Sequence, residues 1–206
     1  MFPALTTITI LYDGEDGLLF AVFLNDSKCT QISNPAYEVV QLNIRRYQSA
    51  DALFLSKLFY DTVHTVNAKD YSPAQLDAWA TGNVDLVSWD KSLLEHNALV
   101  ATVETEGEET IIGFGDIDDS GFLHRLYIHK DHQKKGVATA LCEALEKRVE
   151  GDRVTVHASI TAKPFFEKRG YKVIREQQVE RSGVLLTNYV MEKRSDVSKT
   201  EHLNKG

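Results

Sequence analysis

The seven-residue run from Gln133 to Thr139 constrains this chain most, because it joins a segment with the pattern of a β-strand to a segment with the pattern of an α-helix. The stretch Phe122–Ile128 before it is typical of a β-strand. After it, apolar residues recur every four positions, as on the buried face of a helix: Val137, Leu141, Leu145 and Val149. We therefore expect a strand, a tight loop and a helix from about Gly136 to Glu150.

This loop has the composition of an anion site. The first turn of a helix exposes unpaired backbone N–H groups and a partial positive charge. Gly136 permits a tight turn, Ala138 is small, and Lys134 and Lys135 add positive charge. A Walker-type loop is excluded because Val137 follows the glycine, and a dinucleotide loop needs three glycines. The loop therefore suits a pyrophosphate of another kind.

The rest of the chain alternates between strands and helices. Turn residues at 13–17 separate two β-prone runs, which predict an N-terminal hairpin followed by a polar connector, Asn25–Pro35. The predicted strands are Thr7–Tyr12, Leu18–Leu24, Gln41–Tyr47, Ala98–Glu104, Thr110–Ile117, Phe122–Ile128, Arg153–Ala158, Tyr171–Val179 and Leu185–Met191. The predicted helices begin after Asp51 and Ser72, at Gly136 and at Ala162, the last ending before Gly170. We expect an extension at 1–39, a main α+β domain at 40–194 and a tail at 195–206.

Composition narrows the classes of partner. A formal charge of −7 and a pI near 5.5 argue against a nucleic-acid-binding surface. The two cysteines, Cys29 and Cys142, lack metal-ligand and redox spacing, which favours a reducing, cytoplasmic compartment. Acidic residues interrupt the apolar N-terminal stretch, so neither a signal peptide nor a membrane span is predicted.

The loop also resembles a known family signature. Gln133 to Ala138 matches Q/R-x-x-G-x-G/A, the coenzyme A motif of GNAT acetyltransferases, and Ala162 to Tyr171 is similar to the family motif that ends in Gly-Phe/Tyr. The resemblance covers about Leu42 to Lys193. Members of a bacterial subgroup of the family also look similar to this chain at Tyr71–Trp79 and through Ala158 to Phe166.

The resemblance implies the GNAT acyl-CoA N-acyltransferase fold, a central mixed, mostly antiparallel sheet with helices on both faces. It also implies acetyl-CoA as co-substrate, with its thioester between the splayed strands that contain Phe122–Ile128 and Arg153–Ala158. In that case the coenzyme contacts would be Leu126, Tyr127, Ile128, Gln133, Lys134, Lys135, Gly136, Val137, Ala138, Thr139, Ser159, Lys163 and Phe166.

Two positions depart from the family pattern. Ser159 stands where many members have an asparagine that bonds the pantetheine. Phe166 stands where a tyrosine commonly protonates the leaving thiolate, and phenylalanine has no proton to donate. A general acid typically contributes roughly 10² to 10⁴ in rate, so a substitute is expected. Candidates for the catalytic roles are His157, Ser159, Tyr171 and Tyr189, with Asp116 and His124 as further candidate bases. The alternative for each tyrosine is ordinary core packing, and the alternative for His157 is a histidine satisfied by a neighbouring helix or by solvent.

The acceptor pocket is expected among the helices that follow the first core strand. Aromatic rings there can hold a cation, and the candidates are Tyr60, His64, Tyr71, Trp79 and Trp89, with core packing as the alternative. The polar run His129–His132 is interpreted as loop surface, and no metal is predicted.

Three hypotheses follow. The first is transfer of acetyl from acetyl-CoA to a primary amine of a small molecule or peptide. The second is a non-catalytic acyl-CoA sensor, suggested by Phe166. The third concerns Thr7–Leu24, whose strands could pair with another subunit to form a homodimer.

Overall fold

The computed structural model describes residues 6–13, 17–24, 37–105 and 107–194. The strands are β1 (Thr6–Asp13), β2 (Gly17–Leu24), β3 (Tyr37–Arg46), β4 (Asn97–Thr105), β5 (Glu108–Ile117), β6 (Phe122–Ile128), β7 (Arg153–Ser159), β8 (Lys172–Arg181) and β9 (Val184–Arg194). The helices are α1 (Ala52–Val66), α2 (Pro73–Trp79), α3 (Leu86–Leu94), α4 (Val137–Glu146) and α5 (Lys163–Lys168). The predicted mixed α and β class is confirmed.

The strands form one sheet in the order β2-β1-β3-β4-β5-β6-β7-β9-β8. Every neighbouring pair is antiparallel except β6 and β7, which run parallel. The hairpin predicted at the N-terminus is present as β1 paired with β2, and β1 also pairs with β3. That second pairing explains why β3 begins at Tyr37 rather than at the predicted Gln41. The predicted connector Asn25–Pro35 and the tail 195–206 lie outside the described residues.

Helices cover both faces of the sheet. Alternate residues of β4 enter different cores, because successive side chains of a strand point to opposite faces. Leu99 and Ala101 join the core beneath α4 and α5, whereas Ala98 and Val100 join the core beneath α1 and α3. No helix of the described chain combines the length and the apolar character needed to cross a bilayer.

Two glycines allow α4 to pack directly on β5. A Cβ at Gly113 would lie 2.7 Å from the Ile128 side chain, and one at Gly115 would lie 2.8 Å from a backbone oxygen of β6. Side chains of α4, Leu141 and Leu145, fill the space above them. The close approach fixes the start of α4 beside the end of β6.

Several predicted boundaries are wrong. Helix α4 ends at Glu146, four residues before the predicted Glu150, because residues 147–149 turn through tighter bonds such as Arg148 N–H to Leu145 O. Helix α3 was not predicted, although Asp85 caps it by accepting from the N–H groups of Val87 and Ser88. Only Leu93 of α3 is buried, so the helix carries little periodic signal.

Helix α1 begins where predicted. Leu55, Leu58 and Val63 are buried, whereas Leu53 and Phe54 are exposed by 68% and 44%. The Asp51 carboxylate makes no cap bond to α1 and instead accepts from Arg45 and from Gln48 N–H.

Candidate functional site

Strands β6 and β7 separate after a short paired start. They are in register only at Phe122 with Thr155 and Leu123 with Val156. Beyond these pairs β6 stays bonded to β5 and β7 stays bonded to β9, so the two strands diverge. The ends of β6 and β7, up to Ile128 and Ser159, therefore face each other across a gap with no ladder between them.

A β-bulge turns the backbone of β6 toward this gap. The register with β5 shifts at His124, between the pairs formed by Arg125 and Leu123. His129 N–H donates to Ile112 O at 2.8 Å. Since bonded pairs alternate along an antiparallel ladder, the backbone groups of Leu126 and Ile128 point away from β5 and toward β7.

The same alternation turns Tyr127 away from the gap. Its backbone bonds to β5, and its ring packs between Phe59 and Phe114 on the α1 side of the sheet. Burial raises the pKa of Tyr127 to about 12. Tyr127 was predicted to offer backbone groups to the pantetheine; in this structure its backbone groups point to β5, whereas those of Leu126 and Ile128 point into the gap. Ile128 O already accepts from the Gln133 side chain at 2.6 Å and from Thr62 at 3.2 Å.

The predicted anion loop directly follows this end of β6. Gly136 is the N-cap of α4 and has φ of 78°, a left-handed conformation that glycine adopts without strain. Lys134 is also left-handed, with φ of 60°. Gly136 carries no side chain, so no cap bond reaches the first turn of α4, and the N–H groups of Val137, Ala138 and Thr139 keep their donor capacity. The Gln133 amide holds the loop to β6.

The four predicted catalytic residues lie on two faces of the sheet. His157 and Ser159 share a face with Asn188, because Ser159 pairs with Asn188 and residues directly opposite lie on the same side. Tyr189 pairs with Ala158 on the other face, where Lys163 Nζ lies 4.2 Å from its ring centroid.

Tyr171 lies in the core rather than at the gap. Its side chain is buried, and its hydroxyl donates to Glu146 at 2.8 Å beneath α4. Burial raises the pKa of Tyr171, and the negative charge of the nearby Glu146 carboxylate raises it further. Tyr171 is therefore a structural residue here, in line with the packing alternative. Phe166 packs against it in the same core.

Ser159 and His157 differ in their local contacts. Ser159 Oγ accepts from Ala162 N–H at 3.0 Å, which leaves its hydroxyl proton available. Burial lowers the pKa of His157, and the positive charge of Arg175 lowers it further. His157 is thus favoured in its neutral form, and its ring meets Phe122 edge to face.

The candidate base His124 is oriented by a carboxylate at the mouth of the gap. Its Nε2 bonds Asp118 Oδ2 at 2.8 Å, which directs the Nε2 proton to Asp118 and the Nδ1 lone pair elsewhere. Asp118 is itself held by the N–H groups of Ser120 and Phe122. Burial alone would raise the pKa of Asp118, but hydrogen bonds from Ser120, His124 and Phe122 outweigh burial and lower it.

Asp116, the other candidate base, is not available. Its carboxylate is fully buried and bonds Arg125 Nε at 2.7 Å and His96 Nδ1 at 2.7 Å. The ring of His96 stacks on that of His124 at 4.2 Å. Asp116 therefore supports the neighbours of His124 instead of accepting a proton itself.

The predicted acceptor residues lie in α1, α2 and α3 and in the segment between α1 and α2. Tyr60 stacks on His64, whose Nε2 lies 2.9 Å from Ala80 O. Tyr71 is buried, and its hydroxyl donates to Thr187 O and accepts from Ile160 N–H. The ring of Trp79 meets Tyr71 edge to face.

Tyr71 therefore ties the start of α2 to the end of β7 and the first part of β9, and acts mainly as a structural residue. Trp89 packs against Phe59, with the Arg125 guanidinium 4.9 Å from its ring centroid.

Asn188 was missed at the level of sequence. Its Oδ1 atom is buried without a hydrogen-bond partner in the described chain, on the strand next to Ser159. A single asparagine within the apolar strand run Leu185–Met191 was the only available signal. In the part of the chain that the structure describes, no three acidic, histidine or cysteine side chains gather to hold a metal.

Comparisons with known proteins agree with this geometry. A family model described as the acetyltransferase (GNAT) domain matches residues 67–193. The uncharacterized N-acetyltransferase YafP of Escherichia coli K12 is 33% identical over 150 residues, which cover 73% of this chain and 94% of YafP. A GCN5-related N-acetyltransferase structure from Rhodopseudomonas palustris is 30% identical with a TM-score of 0.68, covering 73% of this chain and 94% of its own.

More distant structures share the fold. The PaiA N-acetyltransferase of Thermoplasma acidophilum, in complex with coenzyme A, superposes with a TM-score of 0.57 at 18% identity over 74% of this chain and 98% of its own. The YncA protein of Salmonella typhimurium, a putative acetyltransferase solved with acetyl-CoA, gives 0.56 at 18% identity over 76% and 95%.

Proposed function

Because this chain belongs to the GNAT acetyltransferase family, we propose that it transfers the acetyl group of acetyl-CoA to a primary amine of a small molecule or peptide. Acetyl-CoA, when bound, supplies an activated acetyl group as a thioester. The observation that carries the proposal is the uncapped first turn of α4 at the end of the β6–β7 gap. An anion site and a slot between strands, joined end to end, suit a ligand with a diphosphate and a narrow arm.

The loop residues hold the diphosphate in this proposal. The N–H groups of Val137, Ala138 and Thr139 donate to its oxygens, with the partial positive charge of α4 behind them. Lys134 and Lys135 lie at the rim, and Gln133 keeps the loop closed against Ile128 O. The coenzyme complexes of the PaiA and YncA structures, which share this fold, support the same ligand class here.

Backbone groups of β6 orient the pantetheine arm and the acetyl carbonyl. Leu126 and Ile128 point their N–H groups into the gap, where an extended arm can add to the strand as an additional strand would. A fixed N–H beside the acetyl oxygen stabilises the negative charge that develops there during attack. Ser159 and Lys163 line the opposite side of the arm in this proposal, whereas Phe166 is buried in the core against Tyr171.

His124 is the proposed general base. A primary amine with a pKa near 10 is protonated in all but about one molecule in a thousand at pH 7, so a proton acceptor is needed. Among the candidate bases, His124 combines a position at the fork of β6 and β7, a carboxylate on one ring nitrogen and a lone pair on the other. Asp118 holds that tautomer.

The leaving thiolate has no tyrosine to protonate it at position 166. The Ser159 oxygen accepts from Ala162 N–H through a lone pair, so its hydroxyl remains free to donate. It is the proposed hydrogen-bond donor to the departing thiolate, which takes its proton from solvent water. The buried Oδ1 of Asn188, next to Ser159 across β7 and β9, is placed to accept an N–H from the bound amine.

Calorimetric titration of the purified protein with acetyl-CoA tests the proposal. We expect one saturable site per chain, and release of free thiol when a panel of primary amines is added. Absence of saturable binding at millimolar acetyl-CoA contradicts the assignment.

A second function is favoured by one observation. Phe166 is buried and cannot donate a proton, which suits an acyl-CoA sensor that binds without turnover. Saturable binding with no thiol release across the amine panel supports the sensor, whereas robust release with any amine eliminates it.

A further inference from the structure

Three neighbouring strands present a row of polar side chains on the face of the sheet that carries His157. Ser159 on β7, Asn188 on β9 and Gln177 on β8 lie directly opposite one another in the ladder. Residues directly opposite lie on the same face, so this row runs from the gap to the outer strand β8. The buried Asn188 Oδ1, which has no hydrogen-bond partner in the described chain, lies in the middle of the row.

A cation lies beside this row. Arg175 shares the face of Gln177, two residues away on β8, and its Nη2 donates to Gln177 Oε1 at 3.2 Å. This bond holds the guanidinium next to the position opposite Asn188. Within the described ranges, no ion pair joins Arg175 to a carboxylate.

A second arginine extends the positive charge along β8. Arg181 pairs with Val184 and so lies on the same face, at the end of the strand, where no carboxylate of the described chain pairs with it. Burial raises the pKa of Tyr127, and the charge of Arg181 opposes that rise. The charge of β8 therefore acts on residues of β6 on the same side of the sheet.

The carboxylates around this face are directed or engaged elsewhere. Glu176 and Glu180 alternate with the arginines of β8 and so point to the opposite face. Glu192 is held by arginines of β7 and β9 at 3.6 and 2.8 Å. Asp118 is bonded by a histidine at 2.8 Å, and Asp70 accepts from a threonine hydroxyl at 2.7 Å. The charge of Arg175 is therefore left for a ligand.

The spacing of the strands limits the shape of that ligand. A guanidinium group binds a carboxylate or a phosphate through paired, parallel hydrogen bonds. Neighbouring strands lie about 4.8 Å apart, so an anion at Arg175 lies roughly 5–10 Å from a group bound at Asn188. That distance fits one compact molecule with a cationic or neutral amine at one end and an anion at the other.

We propose that the acceptor is an amine that carries a carboxylate or a phosphate, with its nitrogen at Asn188 and its anion at Arg175. This inference rests on the proposed acetyl transfer and names the class of its acceptor, compact amino acids and similar zwitterions. The new C–N bond forms as the C–S bond breaks, an amine proton passes to His124, and the thiolate takes a proton from water. The anion at Arg175 is unchanged by the reaction.

Matched amines that differ only in charge test the proposal. β-Alanine and 4-aminobutyrate are each compared with their carboxamides, which keep the size of the molecule and remove its negative charge. Thiol release from acetyl-CoA is measured for each. We expect kcat/KM to be about tenfold or more higher for the carboxylate, because the carboxamide loses a charge-assisted pair. O-phosphoethanolamine against ethanolamine distinguishes a phosphate from a carboxylate.

Arg175→Gln is expected to bring the two members of each pair within about twofold of each other. The matched control is Arg194→Gln, which removes the same charge six residues beyond Asn188 on β9, roughly 20 Å along the strand. We expect this control to keep the preference for the anionic amines, because a distant exposed charge is screened by solvent and salt.

Binding is also followed without turnover. His157 pairs with Val190, which pairs with Arg175, so the ring resonances of His157 report on a ligand at this face. The protein is titrated with each amine in the presence and in the absence of coenzyme A. We expect saturable shifts with the anionic amines, weakened about tenfold or more by Arg175→Gln.

The outcomes separate this inference from the proposed function. Saturable binding of an anionic amine that depends on Arg175, with no thiol release, supports the anion subsite and contradicts acetyl transfer. Equal kcat/KM for carboxylates and carboxamides, or equal loss of preference in Arg175→Gln and Arg194→Gln, overturns the inference and leaves acetyl transfer standing. The inference is also overturned if none of the three anionic amines binds saturably.

Discussion

His124 lies at the residue where β6 changes register, and Asp118 fixes which of its ring nitrogens carries the proton. A general base held in one tautomer where β6 and β7 separate increases the reaction rate by a factor of roughly 10² to 10⁴. We expect His124→Gln to lower kcat by that factor while the affinity for acetyl-CoA stays within about twofold. Steady-state kinetics and calorimetry on the same preparation measure both.

Substitutions of Asp118, which orients His124, and of a surface histidine provide comparisons for this prediction. Asp118→Asn is expected to lower kcat by less than His124→Gln, because the base remains but loses its orienting charge. His129→Gln, on the loop after β6, serves as the histidine control. Unchanged kcat in His124→Gln removes His124 from the mechanism.

Glu146 is the centre of a second cluster, which stabilises the fold. It accepts from Tyr171 at 2.8 Å, Lys193 at 2.8 Å and Arg169 at 3.1 Å, and Cys142 also contacts it. We expect Glu146→Gln to lower the free energy of unfolding by about 2–4 kcal/mol, since it leaves buried donors and charges uncompensated. Urea unfolding measures the change.

The control for this cluster is Glu143→Gln. Glu143 is more exposed and makes one longer contact to Arg169, at 3.5 Å, so its loss is expected to cost less than about 1 kcal/mol. Equal costs for the two variants contradict the assignment of Glu146 as the centre.

The same cluster predicts a pH dependence of stability. Burial alone would raise the pKa of Glu146, but bonds from Lys193, Tyr171 and Cys142, with the charge of Arg169, lower it below the ordinary 4.5. A carboxyl whose pKa falls on folding stabilises the fold above its unfolded pKa and loses that contribution as pH falls through the folded value. As the pH falls from about 5 through the folded pKa of Glu146, the free energy of unfolding is therefore expected to decrease more for the wild type than for Glu146→Gln.

At the scale of elements, the start of α4 depends on a left-handed residue. Gly136→Ala places a Cβ on a backbone with φ of 78°. This either destabilises the fold by about 1 kcal/mol or displaces the first turn of α4. Because the first-turn amides are the proposed diphosphate donors, we expect affinity for coenzyme A to fall about tenfold. Calorimetric titration measures it.

Gly170→Ala is the matched control for backbone strain. Gly170 has φ of 87° after α5, and a Cβ there meets no atom within 4 Å. We expect a similar loss of stability with coenzyme A affinity unchanged. If both variants lose affinity equally, the effect is general strain and the loop has no special part in binding.

Some strands and helices could be predicted from the sequence, and others could not. The run Phe122–Ile128 was predicted with its observed boundaries, because a buried strand next to a glycine loop has both a period and a stop signal. Helix α3 was missed because only Leu93 of its nine residues is buried. The divergence of β6 and β7 was expected only from the family resemblance, since strand pairing depends on residues distant in the chain.

The candidate site, too, could be predicted from the sequence only in part. The coenzyme loop was predicted from local chemistry, and its contacts to a ligand stay a prediction. The role of Tyr189 could not be assigned from sequence, because alternation along β9 does not say which face meets the gap, and Tyr171 lies just before β8. The pairing of Ser159 with Asn188 became visible only with the register of β7 and β9.

At the scale of the whole molecule, the N-terminal hairpin lies far from the gap. Strands β3, β4 and β5 separate β1 from β6 in the sheet. A variant that begins at Tyr37 is therefore expected to bind coenzyme A with affinity within about threefold of wild type, because no gap residue contacts β1 in the ladder. Calorimetry measures the affinity, and circular dichroism confirms that the variant folds.

The same variant tests the predicted division into an extension and a main domain. Light scattering on both chains shows whether the hairpin also joins subunits: a lower mass for the shorter chain supports pairing through the hairpin, and an equal mass argues against it. Loss of coenzyme A binding in a folded variant contradicts the predicted independence of the main domain.

A crystal structure with bound acetyl-CoA tests the central claim most directly. We predict diphosphate oxygens within hydrogen-bonding distance of the Val137, Ala138 and Thr139 N–H groups, with the thioester between Leu126 and Ser159. A coenzyme bound elsewhere, or a diphosphate that leaves the first turn of α4 without contact, would contradict the account.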